Sequence, residues 1–226
     1  MPTQLPLSLT IRPSVDFSTY ISGRNGEAVS RLRSGSDPFV YLWGTSGCGK
    51  SHLLQACCHQ AQQEQGQPAY LPFKSEHGLE PAMLEGLEAF SLVCLDDLEV
   101  LAGKKDWELA IFNLYNQLRE TEARLIVASD RPPKKLPMQL ADLASRLTWG
   151  PCYHLFPLND DERLDLLISS AERRGMTMSV EIATFLLQRT PRDIHFLTLL
   201  IERLDQASLA AQRRLTIPFV REILKL

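Results

Sequence analysis

The chain has 226 residues, a net charge of −3, 44% hydrophobic and 23% charged residues, the balance of a globular protein with one large domain or a main domain plus a smaller one. That charge excludes a global electrostatic drive toward nucleic acid and leaves only a local patch to supply one. No apolar run approaches the roughly 20 residues that span a bilayer, and the N-terminus lacks the pattern of a secretory leader.

From Met1 to Arg12 the prolines oppose helix, while Leu5, Leu7 and Leu9 alternate with polar or proline positions. Such alternation reads as an edge strand or, equally, as an extended ligand for another protein's groove. Phe17 and Tyr20 follow, then a short helix predicted over Asn25 to Leu32. Standing just ahead of the first apolar strand, these two rings either cover the core or fold over the base of a bound nucleotide.

Phe39 to Trp43 is apolar throughout and predicts a buried strand. It enters Gly44-Thr45-Ser46-Gly47-Cys48-Gly49-Lys50-Ser51, which fills every position of the P-loop pattern, and His52 to Ala56 opens a helix. Strand, glycine loop and helix are the context that pattern requires. Inward-turned backbone N–H groups and the helix N-terminus, from Gly44 to His52, form a candidate phosphate cradle. Lys50 is placed to reach the β- and γ-phosphates, and the Ser51 hydroxyl to ligate Mg²⁺.

The glutamine-rich continuation stops at Gly66, and Ala69 to Phe73 predicts a short strand with Pro72 at its end or on a sheet edge. Ser91 to Leu95 is a second buried strand, closed by Asp96 and Asp97. Asp96 suits the acid that holds Mg²⁺ through water, and Asp97 could orient or deprotonate the attacking water. The same pair could instead serve only as a helix N-cap. Trp107, Ile111, Leu114, Tyr115 and Leu118 form a core-facing stripe on a helix over Asp106 to Glu120. Arg124 to Ser129 is another buried strand, and Asp130 at its end lies where open α/β sheets hold ligands. Arg131 to Lys135 is a loop, Met138 to Leu147 a helix carrying Arg146, and Cys152 to Phe156 a last strand.

From Asn159 onward only helical stripes remain: Leu164 to Ala171, Ile182 to Leu186, Ile194 to Leu204, and a last turn-and-helix from Pro218. This part carries ten basic and ten acidic residues and gives no obvious DNA-binding face. The fold class is therefore α/β, a parallel sheet covered by helices, followed by a small helical bundle after Pro157. Cys48, Cys57, Cys58, Cys94 and Cys152 lack C-x-x-C spacing and read as small buried hydrophobes, which fits a reducing cytoplasm.

The motif set resembles an AAA+ ATPase, a P-loop NTPase core with a C-terminal helical lid, and its local words resemble the DnaA family. Phe39 to Gly44 with Gly49 to Leu54 is similar to that family's Walker A surroundings, and Leu95 to Leu98 to its Walker B. Ala128 to Pro133 is similar to its sensor 1 strand end, and Leu143 to Gly150 to its arginine-bearing Box VII. The likeness runs from about residue 14 to 226. It ends where DnaA continues into a helix-turn-helix DNA-binding domain. Where the initiator has an N-terminal domain, Gln4 to Leu9 resembles a sliding-clamp-binding hexapeptide with Gln4, Leu5, Leu7 and Leu9 as anchors.

The resemblance implies a clamp-binding tail over 1–12, an AAA+ base over 13–157 and a lid over 158–226. It implies a cytoplasmic regulator that docks on the DNA-loaded β sliding clamp of DNA polymerase III, so becoming nucleoid-associated. There it stimulates hydrolysis of DnaA-bound ATP and prevents over-initiation. Arg146 becomes an arginine finger acting in trans, or else a surface arginine paired with Asp142. Asp130 becomes sensor 1 and Arg192 sensor 2, although Pro191 before it and His195 and Phe196 after it depart from the initiator's pattern. The resemblance further implies bound ADP or ATP with Mg²⁺, weak hydrolysis by the chain itself, DNA met mainly through the clamp, no membrane, and self-association left open. An autonomous ATPase of the clamp-loader or helicase-loader type is the alternative. A small P-loop kinase is disfavoured, because no arginine-rich lid interrupts the core strands.

Overall fold

The computed structural model describes residues 15–74 and 79–225, so Gln4, Leu5, Leu7 and Leu9 lie outside the described residues. The chain divides into two compact units between Pro157 and Leu158. In the first, α1 (Gly26–Ser34) leads to β1 (Phe39–Trp43), α2 (Lys50–Gln63), β2 (Pro68–Pro72) and β3 (Leu92–Asp96). It continues through α3 (Lys105–Arg119), β4 (Arg124–Ser129), α4 (Ala141–Arg146) and β5 (Cys152–His154). The five strands form one parallel sheet in the order β2-β3-β4-β1-β5.

Apolar runs suit these strands because both faces are covered. Tyr41, Leu71, Val93, Leu95, Leu125 and Val127 pack on the α3 and α4 side. Their alternates Val40, Leu42, Tyr70, Cys94, Ile126 and Ala128 pack on the α1 and α2 side. Register aligns Trp43 with Ser129 and Leu95 with Val127, so Gly44, Asp96 and Asp130 all emerge at the carboxyl end of the sheet. Pro72 closes β2 on an edge, where its missing N–H costs no ladder bond.

Two elements are shorter than the sequence suggests. Residues 138–140 stay outside α4 because the Glu108 carboxylate takes the N–H groups of Gln139 and Leu140 before the helix begins. β5 stops at His154, because the Asn25 side chain claims both backbone groups of Phe156. One further expectation is corrected: Cys152 is exposed, while Cys48, Cys57, Cys58 and Cys94 are buried. Cys152 opens β5, an edge strand paired with β1 on one side and, among the described residues, with no strand on the other.

The second unit consists of α5 (Asp160–Glu172), α6 (Val180–Arg189), α7 (Ile194–Ala211) and α8 (Ile217–Leu224). Each starts at a side-chain cap: Asn159 in a reciprocal box with Glu162, then Ser179, Asp193 and Thr216. Their apolar stripes meet around Leu167, Ala183, Leu186, Leu197, Leu204 and Val220, all essentially solvent-free. Among the described residues no helix is long and apolar enough to cross a membrane.

Candidate functional site

The loop from Gly44 to Gly49 hangs between β1 and α2, and its Gly44 N–H donates to Ser129 of β4. Gly49 has φ +93° and a Cβ there would meet the Tyr20 ring at 2.5 Å, so glycine serves both the turn and the close approach. Lys50 is 7% exposed, and its Nζ donates to the carbonyls of Gly44 at 2.7 Å and Thr45 at 3.3 Å. The ammonium is thus held across the loop while Ser51 and the loop tip stay exposed. Tyr20 donates its hydroxyl to the Cys48 carbonyl and lies edge-on to His52, whose Nε2 pairs with the Asp16 carbonyl at 2.9 Å. Asn25 donates to the Tyr20 oxygen at 3.0 Å, which ties the pre-strand segment to both the phosphate loop and Phe156.

Asp96 is buried, and its Oδ2 accepts the Tyr70 hydroxyl at 2.8 Å while its Oδ1 accepts the Asp97 N–H at 3.0 Å. Burial and the Asp96 charge hold the Tyr70 phenol well above its ordinary range, so it stays a donor. Asp97 has left-handed backbone, φ 57°, and its side chain caps nothing among the described residues, unlike the cap-only reading of the pair. Burial pushes its carboxyl up to about 6, helped by Asp96 and Glu99 and opposed by Lys74 and Lys50. Asp130 lies within the field of Lys50, but Arg131 grips its carboxylate with two hydrogen bonds of 2.6 and 2.7 Å and lowers its pKa. Asp130 is therefore an ion-paired group rather than a free one.

The oxygen donors Ser51 and Asp96 suit Mg²⁺, a hard cation that keeps most of its waters, and the loop suits a polyphosphate. These residues therefore fit the nucleotide and metal that the pattern implies.

The raised pKa of Asp97 sets a pH expectation. A carboxyl moved from 3.8 to about 6 contributes stability that is complete below 3.8 and lost as pH rises through 6. Asn tolerates left-handed backbone, so Asp97→Asn removes the charge without new strain. In nucleotide-free, magnesium-free buffer the melting temperature of Asp97→Asn should gain on that of the wild type between pH 4 and 6.5. Parallel curves would contradict the placement of Asp97.

Arg146 occupies a different part of the unit. Its guanidinium lies 4.1 Å from the Trp149 ring and 5.9 Å from those of Phe112 and Tyr115, and Tyr115 packs edge-on against Phe39. Phe39 opens β1 and the phosphate loop follows its other end, roughly 13 Å along a strand of that length. The alternative partner Asp142 is not engaged; the ion pairs among the described residues do not include Arg146. Phe17 is 9% exposed inside the core cluster, with the Arg33 guanidinium 5.3 Å over its ring. In the second unit Arg192 pairs with Asp160 at 2.8 Å, both side chains exposed.

Some contributions carry no signal in the sequence. Asn25 and Tyr70 act through partners far away in the chain, and Trp149, although inside the Box VII-like stretch, acts through surface stacking; periodicity reveals neither. Glu108 could have been noticed as a charge one residue after Trp107 on an otherwise apolar helix face, a position that demands partners when buried.

A parallel sheet of this order with a complete P-loop, an acid-ended β3 and a separate helical unit defines an AAA+ P-loop protein. Similar architecture occurs in domain III of the Thermotoga maritima replication initiation protein DnaA, 19% identical, covering 96% of this chain and 98% of that one with a TM-score of 0.78. DnaA from Aquifex aeolicus bound to AMPPCP is 25% identical over 88% of this chain and 67% of that one, TM-score 0.72. The Thermotoga maritima RuvB Holliday junction branch migration motor is 14% identical over 91% and 67%, TM-score 0.65. The family model for the bacterial DnaA ATPase domain matches residues 79–153, and that for the Hda lid domain matches residues 160–224. The two matched models and the shared architecture support a protein of the Hda/DnaA family.

Proposed function

We propose that this protein is a DnaA-related regulator of replication initiation that docks on the DNA-loaded β sliding clamp and stimulates hydrolysis of ATP held by a neighbouring DnaA. The observation that carries the reading is the position of Arg146. It stands among aromatic rings near the amino end of β1, while Lys50 stands beyond the carboxyl end. An arginine so far from its own phosphate loop is free to serve another molecule's nucleotide. A guanidinium set against the developing γ-phosphoryl charge accelerates hydrolysis by about 10³–10⁵.

The chain's own nucleotide, ADP or ATP, rests in the cradle from Gly44 to His52, with Ser51 and, through water, Asp96 holding Mg²⁺. Tyr20, closing over Gly49, covers the loop's other side; Phe17 supports it from the core. Asp97 is the base for the weak hydrolysis the chain performs itself, Asp130 is sensor 1, and Arg192 is the lid's phosphate-sensing arginine. Gln4, Leu5, Leu7 and Leu9 anchor the clamp, and DNA is met mainly through that clamp in the nucleoid. The match to the Hda lid model and the clamp-like hexapeptide favour this reading over an autonomous loader.

The test combines this protein, DNA-loaded clamp and ATP-bound DnaA, and follows the loss of DnaA-bound ATP with each component left out in turn. Rapid loss is expected in the complete mixture alone. Equal loss without the clamp, or without this protein, would remove the reading; brisk hydrolysis of free ATP with DnaA absent would favour the autonomous ATPase. Replacing both Gln4 and Leu5 with Ala should abolish co-elution with the clamp and leave nucleotide binding intact. Unchanged co-elution would show that the hexapeptide is not the anchor.

A further inference from the structure

Trp149 is 55% exposed, one of the few large apolar side chains that the described surface leaves open. Its backbone is nevertheless fixed. The Trp149 N–H closes a turn onto the Arg146 carbonyl at 3.1 Å, and Thr148 caps the same turn with bonds from its N–H and hydroxyl to the Ser145 carbonyl. Immediately after it, a Cβ on Gly150 would collide with the carbonyl oxygen of Phe39, so the chain passes β1 at a distance only glycine allows. Pro151 then accepts the Tyr41 N–H at 2.9 Å as the chain enters β5.

Two guanidinium groups use that ring. Arg146 lies 4.1 Å from its centre, and Arg119, the last residue of α3, lies 5.2 Å from it. Arg146 is half-buried and has no carboxylate partner among the described ion pairs, so aromatic rings are what restrain it. A long arginine side chain loses much rotamer freedom when it must meet a phosphoryl group in one geometry. A stack that already restrains the guanidinium removes part of that loss in advance. Tryptophan offers the strongest face for it.

We propose that Trp149 is a positioning residue for Arg146: the indole holds the guanidinium in place for the partner's nucleotide, with Arg119 sharing the ring and keeping a second cation beside it. The inference rests on Arg146 acting in trans.

Its test measures clamp-dependent loss of DnaA-bound ATP as a function of this protein's concentration. Trp149→Ala should lower the maximal rate about tenfold while the half-saturating concentration stays within about twofold of wild type, because docking is untouched. Trp149→Phe, which restores a π face, should recover at least about half of the maximal rate. If Trp149→Ala fails to fold, Trp149→Leu keeps the apolar cover without the π face and takes its place, with the same loss expected. A wild-type maximal rate in the Ala or Leu variant overturns the proposal. So does a loss confined to the half-saturating concentration, or a Phe variant no better than Ala. Each of these outcomes leaves the Arg146 reading standing if Arg146→Ala is inactive in the same assay, whereas an active Arg146→Ala removes that reading itself.

A second readout needs no partner. Trp107 is 9% exposed and Trp43 half-buried, so acrylamide quenching of tryptophan fluorescence reports mainly on Trp149. Arg146→Ala should raise that quenching, and unchanged quenching would overturn the stack.

Discussion

Arg146→Ala is expected to lower the stimulated hydrolysis of DnaA-bound ATP by about 10³-fold or more, the range over which an arginine finger acts. The loss should fall on the chemical step alone. Arg146 forms no ion pair with Asp142 or any other described carboxylate, so its removal strands no buried charge. Losing the stack on Trp149 costs on the order of 1 kcal/mol, a few degrees of melting temperature in a protein of this size. Binding of this chain's own nucleotide and of the clamp should survive, because Lys50 and the loop lie beyond the far end of β1. Arg146→Lys keeps the charge but not the planar fork, and should recover only part of the rate. The measurement is single-turnover loss of labelled ATP from DnaA on loaded clamp, beside clamp co-elution and nucleotide-induced thermal shifts. Full stimulation by the Ala variant would take the finger role from Arg146.

Glu108→Gln should be the most destabilising conservative change in the first unit. Glu108 is completely buried on α3, and no basic side chain pairs with it among the described residues. Its two oxygens instead accept the N–H groups of Gly103, Gln139 and Leu140 at 2.7 to 3.1 Å. It therefore caps the entry to α4 from a neighbouring helix. Glutamine has the same shape, but one acceptor becomes a donor facing buried N–H groups. An unsatisfied buried donor costs 1–3 kcal/mol, more where a charge had been the acceptor, so the loss should be roughly 3 kcal/mol. That corresponds to a fall in melting temperature of roughly 6–12 °C. Because the same contacts aim the helix that carries Arg146, stimulated hydrolysis should weaken even where the variant is folded. A melting temperature within two or three degrees of wild type would show that backbone or water replaces the carboxylate.

The nucleotide loop was legible because its chemistry is local. Eight consecutive positions fix the turn, and the apolar run before it and helix after it supply their own context. The strands were legible for a related reason: a parallel sheet covered on both sides leaves runs such as Leu92 to Leu95 uninterrupted. Less legible were features that depend on pairing across the chain. Asn25 reads as an ordinary helix-start residue, yet its amide clasps Phe156, a contact no spacing announces. Residues 138–140 carry helix-compatible side chains, and the remote Glu108 carboxylate takes the N–H groups of Gln139 and Leu140 before the helix begins. Cys152 looked like its four buried counterparts because burial is decided by which strand takes the sheet edge, and strand order is not written in any one segment. Arg146 was singled out by its motif, but its aromatic setting was not, since Phe112 and Tyr115 come from α3 and Trp149 from the turn after α4.

The strand order β2-β3-β4-β1-β5 also has a temporal side. The strand that ends in the phosphate loop pairs only with β4 and β5, both made later on the ribosome, whereas β2 and β3 can pair as soon as they emerge. Some 80 residues separate the end of β1 from the start of β4, on the order of ten seconds of synthesis. For that interval the apolar segment from Phe39 to Trp43 waits without a neighbour, a natural point of engagement for a holdase chaperone. Nascent chains halted before about residue 125 should thus be nucleotide-blind, and binding competence should appear in one step as β4 and then β5 close around β1.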